Sequence, residues 1–193
     1  MRAKPCSHEP KGRFSLSASA RESHDARRLV ARALLFDLDG VLADSRRVVE
    51  AAWTEWTAGK GVEVGPILSR VHGRKIGDAL RGIDPTLDVQ AEARVLMELE
   101  ALHAEKVRAL AGAAELVGGL PAGQWAIVTS GTRTVAQARL DAVGIRPPEV
   151  FITARDVGEG KPAPEGYLLA AERLGVGPEE CIVIEDAPVG VEA

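Results

Sequence analysis

The feature that most constrains the fold is an apolar run that ends in two carboxylates. Residues 33–36 are apolar without alternation, and Asp37, Asp39 and Gly40 follow almost directly. Such a run is typical of a strand buried on both faces of a parallel sheet. Ligands of open α/β sheets bind at the carboxyl edge, which is where this strand would deliver Asp37 and Asp39. Two carboxylates so close repel each other and attract a divalent cation.

These residues alone are also compatible with an ordinary turn, because Asp and Gly are common turn residues. A calcium-binding EF-hand loop is excluded, since it lies between two helices and has a glutamate about a dozen positions after its first aspartate, whereas a strand precedes Asp37. The interpretation as a functional site therefore depends on the other strand ends.

Three later apolar runs end in polar residues in the same way. They are residues 124–128 before Thr129, Ser130 and Gly131, residues 149–153 before the segment that carries Lys161, and residues 181–184 before Glu185 and Asp186. Together with residues 33–36 they predict an α/β fold with a doubly wound parallel sheet, whose strands bring these side chains to one edge.

Hydroxyl groups and a glycine at the second strand end suit a phosphate. The side chains of Thr129 and Ser130, with the backbone N–H of Gly131, precede a predicted helix and can cradle an anion. Ser and Thr are also ordinary N-cap residues, so the pattern is compatible with a purely structural role.

The last two strand ends carry a lysine and an acidic pair. Lys161 is followed by a proline that stiffens its segment, and it can neutralise a phosphate or a crowded carboxylate pair, although most lone lysines are surface charges. Mg²⁺ prefers few carboxylates and several waters. Asp37 and Asp186, with Glu185 nearby, can supply those carboxylates.

Residues 45–111 have helical periodicity and predict an inserted helical cap. Apolar residues recur at three- and four-residue spacing after a predicted N-cap at Ser45, and no strand pattern occurs in this region. The predicted helices run from Ser45 to about Gly59, over 64–71, over 76–80 and over 89–107.

A cap that begins close to Asp37 and Asp39 is well placed to act as a lid. Lids exclude water and select substrates. The loop residues Arg74 and Lys75 suit a phosphorylated or polyhydroxylated substrate, although a solvated loop would carry them as well.

The first 32 residues differ in charge from the rest. They carry eight Lys or Arg and three Asp or Glu, a net charge of +5, while residues 33–193 have a net charge of −9. They lack hydrophobic periodicity, which predicts a disordered extension, and they lack the apolar stretch of a secretory signal. An organelle transit peptide is compatible with their Arg and Ser content. The acidic body argues against nucleic-acid binding.

The composition is typical of one globular unit. The chain has 193 residues, of which 46% are hydrophobic, enough for one good core. No apolar run approaches the ~20 residues of a membrane span. The two cysteines, Cys6 and Cys181, lie far apart in the chain, which favours a reducing compartment over a disulfide framework. We expect a cytoplasmic monomer that acts on a small molecule, without membrane or nucleic-acid partners.

Four motifs of the chain resemble those of the haloacid dehalogenase superfamily: Asp37-x-Asp39-Gly40-Val41, Thr129, Lys161-Pro162 and Glu185-Asp186. The resemblance covers about Ala33 to the last residue. A helical cap between the first and second motifs is similar to the subgroup of β-phosphoglucomutase, phosphoglycolate phosphatase and the sugar-phosphate phosphatases. The resemblance implies a Rossmann-like core and phosphoryl transfer in two steps.

The resemblance also implies a role for each motif residue. Asp37 would be the nucleophile that forms an aspartyl-phosphate, and Asp39 the general acid that protonates the leaving group and then deprotonates water. Thr129 and neighbouring backbone N–H groups would hold the phosphoryl oxygens. Lys161 would steady the charge of the phosphoryl group and of the nucleophile.

The same resemblance implies a Mg²⁺ site. Asp186, with Glu185 nearby, would bind the ion alongside the Asp37 carboxylate and the backbone carbonyl of Asp39.

Several residues separate the outcomes within the superfamily. An acid at Asp39 favours phosphoryl transfer over dehalogenation. β-Phosphoglucomutases resemble the chain at Trp53 but carry a histidine where this chain has Val49, which favours hydrolysis over a mutase reaction. The turn at His72 and Gly73, with Lys75 as its basic residue, resembles the cap loop of deoxyglucose-6-phosphate, glycerol-phosphate and sugar-alcohol phosphatases.

Members of the family usually continue beyond the helix start at 188–193, so we expect a C-terminal strand and helix to be missing and the strand at 181–184 to have an uncovered edge.

The motifs together predict a Mg²⁺-dependent phosphatase acting on a small phosphorylated sugar, polyol or related metabolite. A hexose-phosphate mutase and a catalytically silent binding or regulatory protein remain the alternatives.

Overall fold

A computed structural model describes residues 14–17 and 28–193. Its strands are β1 (Phe14–Ser17), β2 (Arg28–Ala31), β3 (Ala33–Phe36), β4 (Ala43–Asp44), β5 (Arg108–Ala109), β6 (Trp125–Val128), β7 (Val150–Ile152) and β8 (Cys181–Ile184). Its α-helices are α1 (Arg46–Ala58), α2 (Gly65–Val71), α3 (Ile76–Ile83), α4 (Val89–Leu102), α5 (Ala113–Gly118), α6 (Arg133–Ala142), α7 (Glu165–Leu174) and α8 (Pro188–Glu192).

The main sheet is parallel and has the strand order β7-β6-β3-β8. All four residues of β3 are buried, because helices cover both faces of the sheet. Leu34 and Phe36 pack on one side with apolar residues of α5 and α6, and Ala33 and Leu35 pack on the other with residues of α7. The predicted doubly wound α/β sheet is therefore confirmed.

Strand β8 lies at the edge of this sheet. Its backbone pairs with β3 on one side, and Val183 in its middle is 41% exposed. The apolar run predicted as the fourth strand coincides with β8, and the run at 33–36 coincides with β3.

Helices α1 to α4 form a layer with its own apolar core. Trp53 and Trp56 of α1 pack edge to face, with ring centroids 5.4 Å apart. Around them lie Ile67 of α2, Leu80 of α3 and Leu96 of α4. The helix predicted over 89–107 is shorter: α4 ends at Leu102, and a 3₁₀ turn over Ala104–Lys106 follows.

The two chain segments that enter and leave this layer pair with each other. Strands β4 and β5 are antiparallel, with Ala43 opposite Ala109 and Asp44 opposite Arg108. The prediction that the insert holds no strand is wrong at β5, since a two-residue strand is too short to show a periodic pattern. This two-stranded ribbon joins the helical layer to the sheet.

The N-terminal prediction falls mostly on residues outside the described part of the chain, namely 1–13 and 18–27. Where the structure describes this segment, β1 and β2 form an antiparallel pair, with Phe14 opposite Ala31 and Ser17 opposite Arg28. The sequence did not predict this strand pair, and the disordered extension expected over residues 1–32 stays a prediction. Among the described helices, none combines the length and apolar character needed to cross a bilayer.

Candidate active site

The register of the sheet places three motif segments side by side. Phe36 pairs with Ile127 of β6 and with Ile184 of β8. Continued by one residue, this register puts Asp37 level with Glu185 on one side and with Val128, which directly precedes Thr129, on the other. All three segments leave the same carboxyl edge of the sheet, as the sequence predicts.

Lys161 reaches this edge from the loop after β7. Its Nζ lies 2.7 Å from Asp37 Oδ1, contacts Glu185 Oε1, and donates to the Val128 carbonyl at 3.3 Å. Burial opposes the charged ammonium, but the Asp37 and Glu185 carboxylates outweigh it and raise the pKa of Lys161 above its usual value. The lysine is thus a buried cation between two carboxylates, not a surface charge.

Glu185 uses both of its oxygens within the protein. Oε1 also accepts the Tyr167 hydroxyl at 2.8 Å, and Oε2 accepts the backbone N–H groups of Asp186 and Ala187, each at 3.1 Å. Burial acts against ionisation, but Lys161 and these hydrogen bonds hold the pKa of Glu185 below its usual range. Glu185 therefore anchors Lys161 as an ionised carboxylate.

Asp37 is held in a less favourable environment for charge. Its side chain is 5% exposed. Burial raises the pKa of Asp37 to about 7, with the Glu185 and Asp39 charges adding to the rise and Lys161 opposing it. A cation beside Asp37 would favour its ionised form.

The acidic residues fit a hard divalent cation. One carboxylate oxygen from each of Asp37, Glu185 and Asp186 lies within 4.8 Å of the others. Oxygen ligands in such a small number suit Mg²⁺, which keeps several waters. Asp37 and Asp186 have more capacity for this than Glu185, whose oxygens are already hydrogen-bonded.

Gly40 allows Asp186 to approach the loop after β3. Its φ is +83°, a conformation that favours glycine, and a Cβ atom built there would overlap the Asp186 carboxylate. The glycine in the first motif therefore serves a close approach of the last motif.

The Asp39 carboxylate has hydrogen-bond partners other than those of Asp37, Glu185 and Asp186. Ser45 Oγ donates to its Oδ1 at 2.5 Å, and Arg139 donates to its Oδ2 at 2.6 Å. Ser45 occupies the predicted N-cap position of α1, yet its hydroxyl makes no capping hydrogen bond. The metal role predicted for Asp39 concerns its backbone carbonyl and stays a prediction.

The predicted phosphate cradle has two different parts. Thr129 is 5% exposed, and its hydroxyl accepts the Gly131 N–H at 3.1 Å. It keeps a proton that can be donated to an anion. Ser130 instead donates its hydroxyl to the Gly73 carbonyl of the helical layer at 2.8 Å. Its side chain joins the two layers in this structure.

The loop between α2 and α3 lies over the sheet edge. His72 Nε2 is 3.1 Å from Asp186 Oδ2, and Lys75 donates to the Val157 and Gly158 carbonyls at 3.0 Å and 3.3 Å. The ammonium of Lys75, predicted to bind substrate, is thus bound to the loop that carries Lys161. Arg74 lines the cavity below.

A cavity of about 520 Å³ lies between the helical layer and the sheet edge. Asp37, Asp39, Ser130 and Gly131 line it, whereas Thr129 and Lys161 line a pocket of about 20 Å³ that shares Ser130 with it. Sequence reasoning missed Arg139 and Glu100, which also line the cavity, because no local pattern links them to the motifs.

Comparison with known proteins agrees with this arrangement. The model of the haloacid dehalogenase-like hydrolase family matches residues 31–193. Hexitol phosphatase A of Escherichia coli (strain K12) is 45% identical over 168 residues, which cover 83% of this chain and 76% of that protein. Glycerol-1-phosphate phosphohydrolase 2 of Saccharomyces cerevisiae is 34% identical over 177 residues, which cover 86% and 71%.

A solved structure of a hydrolase from Pseudomonas syringae shares the fold, with a TM-score of 0.72 and 30% sequence identity over 81% of this chain and 76% of that chain. The matched region includes all four motifs and the helical layer between them. The chain belongs to the haloacid dehalogenase-like hydrolase family, and its phosphatase relatives place it among the phosphoric monoester hydrolases.

Proposed function

We propose that the protein is a Mg²⁺-dependent phosphatase that hydrolyses a small phosphorylated sugar, polyol or related metabolite through an aspartyl-phosphate on Asp37. The observation that carries the proposal is the buried contact of Lys161 with Asp37, beside Asp186, at the edge of a cavity. This is one cation, one nucleophile and one further carboxylate within reach of a single phosphoryl group.

In the first step, an oxygen of Asp37 attacks phosphorus and the bond from phosphorus to the leaving oxygen breaks. Asp39 gives its proton to that oxygen, so the product leaves as an alcohol. In the second step, Asp39 takes a proton from water as the water oxygen attacks phosphorus. The bond to Asp37 breaks, and inorganic phosphate and the Asp37 carboxylate are released.

Other residues stabilise the negative charge of the reacting groups during both steps. Lys161 offsets the negative charge of Asp37 and of the transferred group, and the Thr129 hydroxyl with nearby backbone N–H groups donates to phosphoryl oxygens. Asp37 and Asp186, with Glu185 nearby and the Asp39 carbonyl, would hold Mg²⁺. When bound, the ion supplies positive charge against the phosphoryl oxygens.

The cavity supports a small polar substrate. Its volume of about 520 Å³ falls within the range of roughly 300–1,000 Å³ typical of small-molecule sites. Its lining mixes cationic, anionic and amide side chains, which suits a phosphate that carries several hydroxyl groups. They include Arg46, Arg74, Arg155, Glu50, Asp78 and Gln90. Relatives named for hexitol and glycerol-1-phosphate substrates support the same class.

A hexose-phosphate mutase is less well supported. Val49 lines the cavity at the position where the resemblance to β-phosphoglucomutase would require a histidine. Incubation with β-glucose 1-phosphate and its bisphosphate tests this alternative, because a mutase would form glucose 6-phosphate without releasing equivalent phosphate.

The test is phosphate release from hexitol, glycerol and hexose phosphates and from p-nitrophenyl phosphate, with Mg²⁺ and with a chelator. We expect hydrolysis only with Mg²⁺ and its loss in Asp37→Asn. Asp84→Asn is the matched control and should retain full activity, since among the described residues the Asp84 carboxylate accepts hydrogen bonds only from Thr86. Hydrolysis that persists in Asp37→Asn would contradict the proposal, and a wild-type protein inactive on every substrate would indicate a silent protein.

A further inference from the structure

We propose that Arg139, held in place by Glu100 of the helical layer, positions Asp39 for proton transfer. The inference rests on the proposed phosphatase function, in which Asp39 is the acid and base. Arg139 is a positioning residue in this proposal and need not touch the substrate.

The guanidinium of Arg139 joins two carboxylates from distant parts of the chain. One nitrogen donates to Asp39 Oδ2 at 2.6 Å, and another donates to Glu100 Oε2 at 2.8 Å. The side chains of Arg139 and Glu100 are each 7% exposed. The planar fork of arginine suits this double contact, which a lysine cannot reproduce.

Stability alone does not explain why Asp39, Arg139 and Glu100 form a largely buried ion triad. Buried ion pairs are often no more stabilising than apolar residues of similar volume. All three residues line the cavity, so the triad lies against the space where substrate would bind. Its position favours a role in the chemistry of Asp39.

The two partners of Asp39 differ in what they can do. Arg139 can only donate, whereas the Ser45 hydroxyl can donate or accept. Oδ2 is therefore fixed as an acceptor, and Oδ1, which lies 2.5 Å from Ser45 Oγ, is the oxygen that can carry the transferable proton.

Both contacts also connect Asp39 to the helical layer. Ser45 directly precedes α1, and Glu100 lies in the last turn of α4. The ribbon of β4 and β5 joins that layer to the sheet, so a shift of the layer would alter the groups that hold Asp39. The position of the layer and the orientation of the acid are thereby linked.

The test compares two leaving groups in Arg139→Lys. An alkyl phosphate such as glycerol 1-phosphate needs a proton from Asp39 to release its alcohol, whereas p-nitrophenolate leaves without one. The ratio of kcat/KM is informative because this parameter reports the step that releases the leaving group, not the later attack of water. We expect kcat/KM to fall about tenfold more for the alkyl than for the aryl phosphate. General acid catalysis typically raises rates by roughly 10²–10⁴, and misplacement of Asp39 would remove a part of that gain.

Arg133→Lys is the matched control on the same helix. Arg133 donates to the Phe151 carbonyl at 2.6 Å and lies 3.6 Å from Asp156, away from Asp39. We expect this variant to keep the wild-type ratio. The double variant Arg139→Met/Glu100→Gln removes the buried charges together, and it provides the same ratio if Arg139→Lys does not fold.

An equal loss on both substrates in the Arg139 variants would overturn the inference and leave the proposed function intact, because it would show a structural role only. Absence of hydrolysis of either substrate by the wild-type protein would overturn the proposed function and the inference with it. A selective loss on the alkyl phosphate, absent in Arg133→Lys, is the result that the inference predicts.

Discussion

Replacement of Lys161 by Met removes the cation between two buried carboxylates. The side chains of Lys161, Asp37 and Glu185 are 6%, 5% and 2% exposed. Breaking a buried ion pair by removal of one partner costs about 3–5 kcal/mol. For a chain of this size, a loss of about 3 kcal/mol lowers the melting temperature by roughly 6–12 °C.

This loss depends on pH because protons can replace the missing cation. Lys161 lowers the pKa of Glu185 and opposes the rise that burial imposes on the pKa of Asp37, which is about 7. Without Lys161 both pKa values rise, so the folded variant binds more protons than the folded wild type. By linkage, the destabilisation therefore grows with pH. The contribution of Glu185 begins in its ordinary titration range, and that of Asp37 begins above pH 7.

The measurement is denaturant unfolding of Lys161→Met and wild type at pH 5 and pH 8.5, without divalent cations. Lys60→Met is the matched control, because Lys60 pairs with Glu92 on a partly exposed surface and such a pair contributes at most about 1 kcal/mol. A loss in Lys161→Met below about 1 kcal/mol at pH 8.5, or a larger loss at pH 5 than at pH 8.5, would refute the reasoning.

Three further predictions concern the metal, the first motif and the loop over the site. Mg²⁺ should raise the melting temperature more at pH 8 than at pH 5, since protons compete for Asp37, and a shift that persists in Asp186→Asn would place the ion elsewhere. Gly40→Ala should cost about 1–2 kcal/mol for its positive φ and lose most activity by displacing Asp186, so full activity in kinetic assays would contradict the close approach. Lys75→Met removes the hydrogen bonds to the Val157 and Gly158 carbonyls and should raise KM several-fold with little change in kcat; an unchanged KM would show that this contact does not hold the loop in place.

The convergence of the motifs was predictable because it depends on local patterns. An apolar run that ends in Asp37 and another that ends in Glu185 predict two parallel strands, and parallel strands bring their ends to one edge. The fold class and the contact of Lys161 with Asp37 follow from this rule together with the family resemblance. The same rule does not give the orientation of individual side chains.

The contacts of Asp39 could not be predicted for that reason. Arg139 is 100 positions away in the chain, and Glu100 is 39 positions from Arg139, so neither belongs to a motif. Ser45 was correctly placed before a helix, but its hydroxyl bonds to Asp39 instead of capping. Tertiary contacts decide between these uses, and a single sequence does not contain them.

The ribbon of β4 and β5 was missed for a different reason. Each strand has two residues, and the register of Ala43 with Ala109 joins positions far apart in the chain. Periodicity needs several residues to be visible. The hydrogen bonds of Ser130 and Lys75 across the two layers were missed as well, because they also join positions far apart in the chain.

The most direct test of the account is to identify the residue that carries the phosphoryl group during turnover. The protein is mixed with a ³²P-labelled substrate and Mg²⁺, quenched in acid within the first turnover, digested and mapped. We predict a hydroxylamine-sensitive acyl phosphate on Asp37, absent in Asp37→Asn. Label on another residue, or continued hydrolysis with no label on Asp37 at any quench time, would contradict the claim that the sheet edge forms one phosphoryl-transfer site.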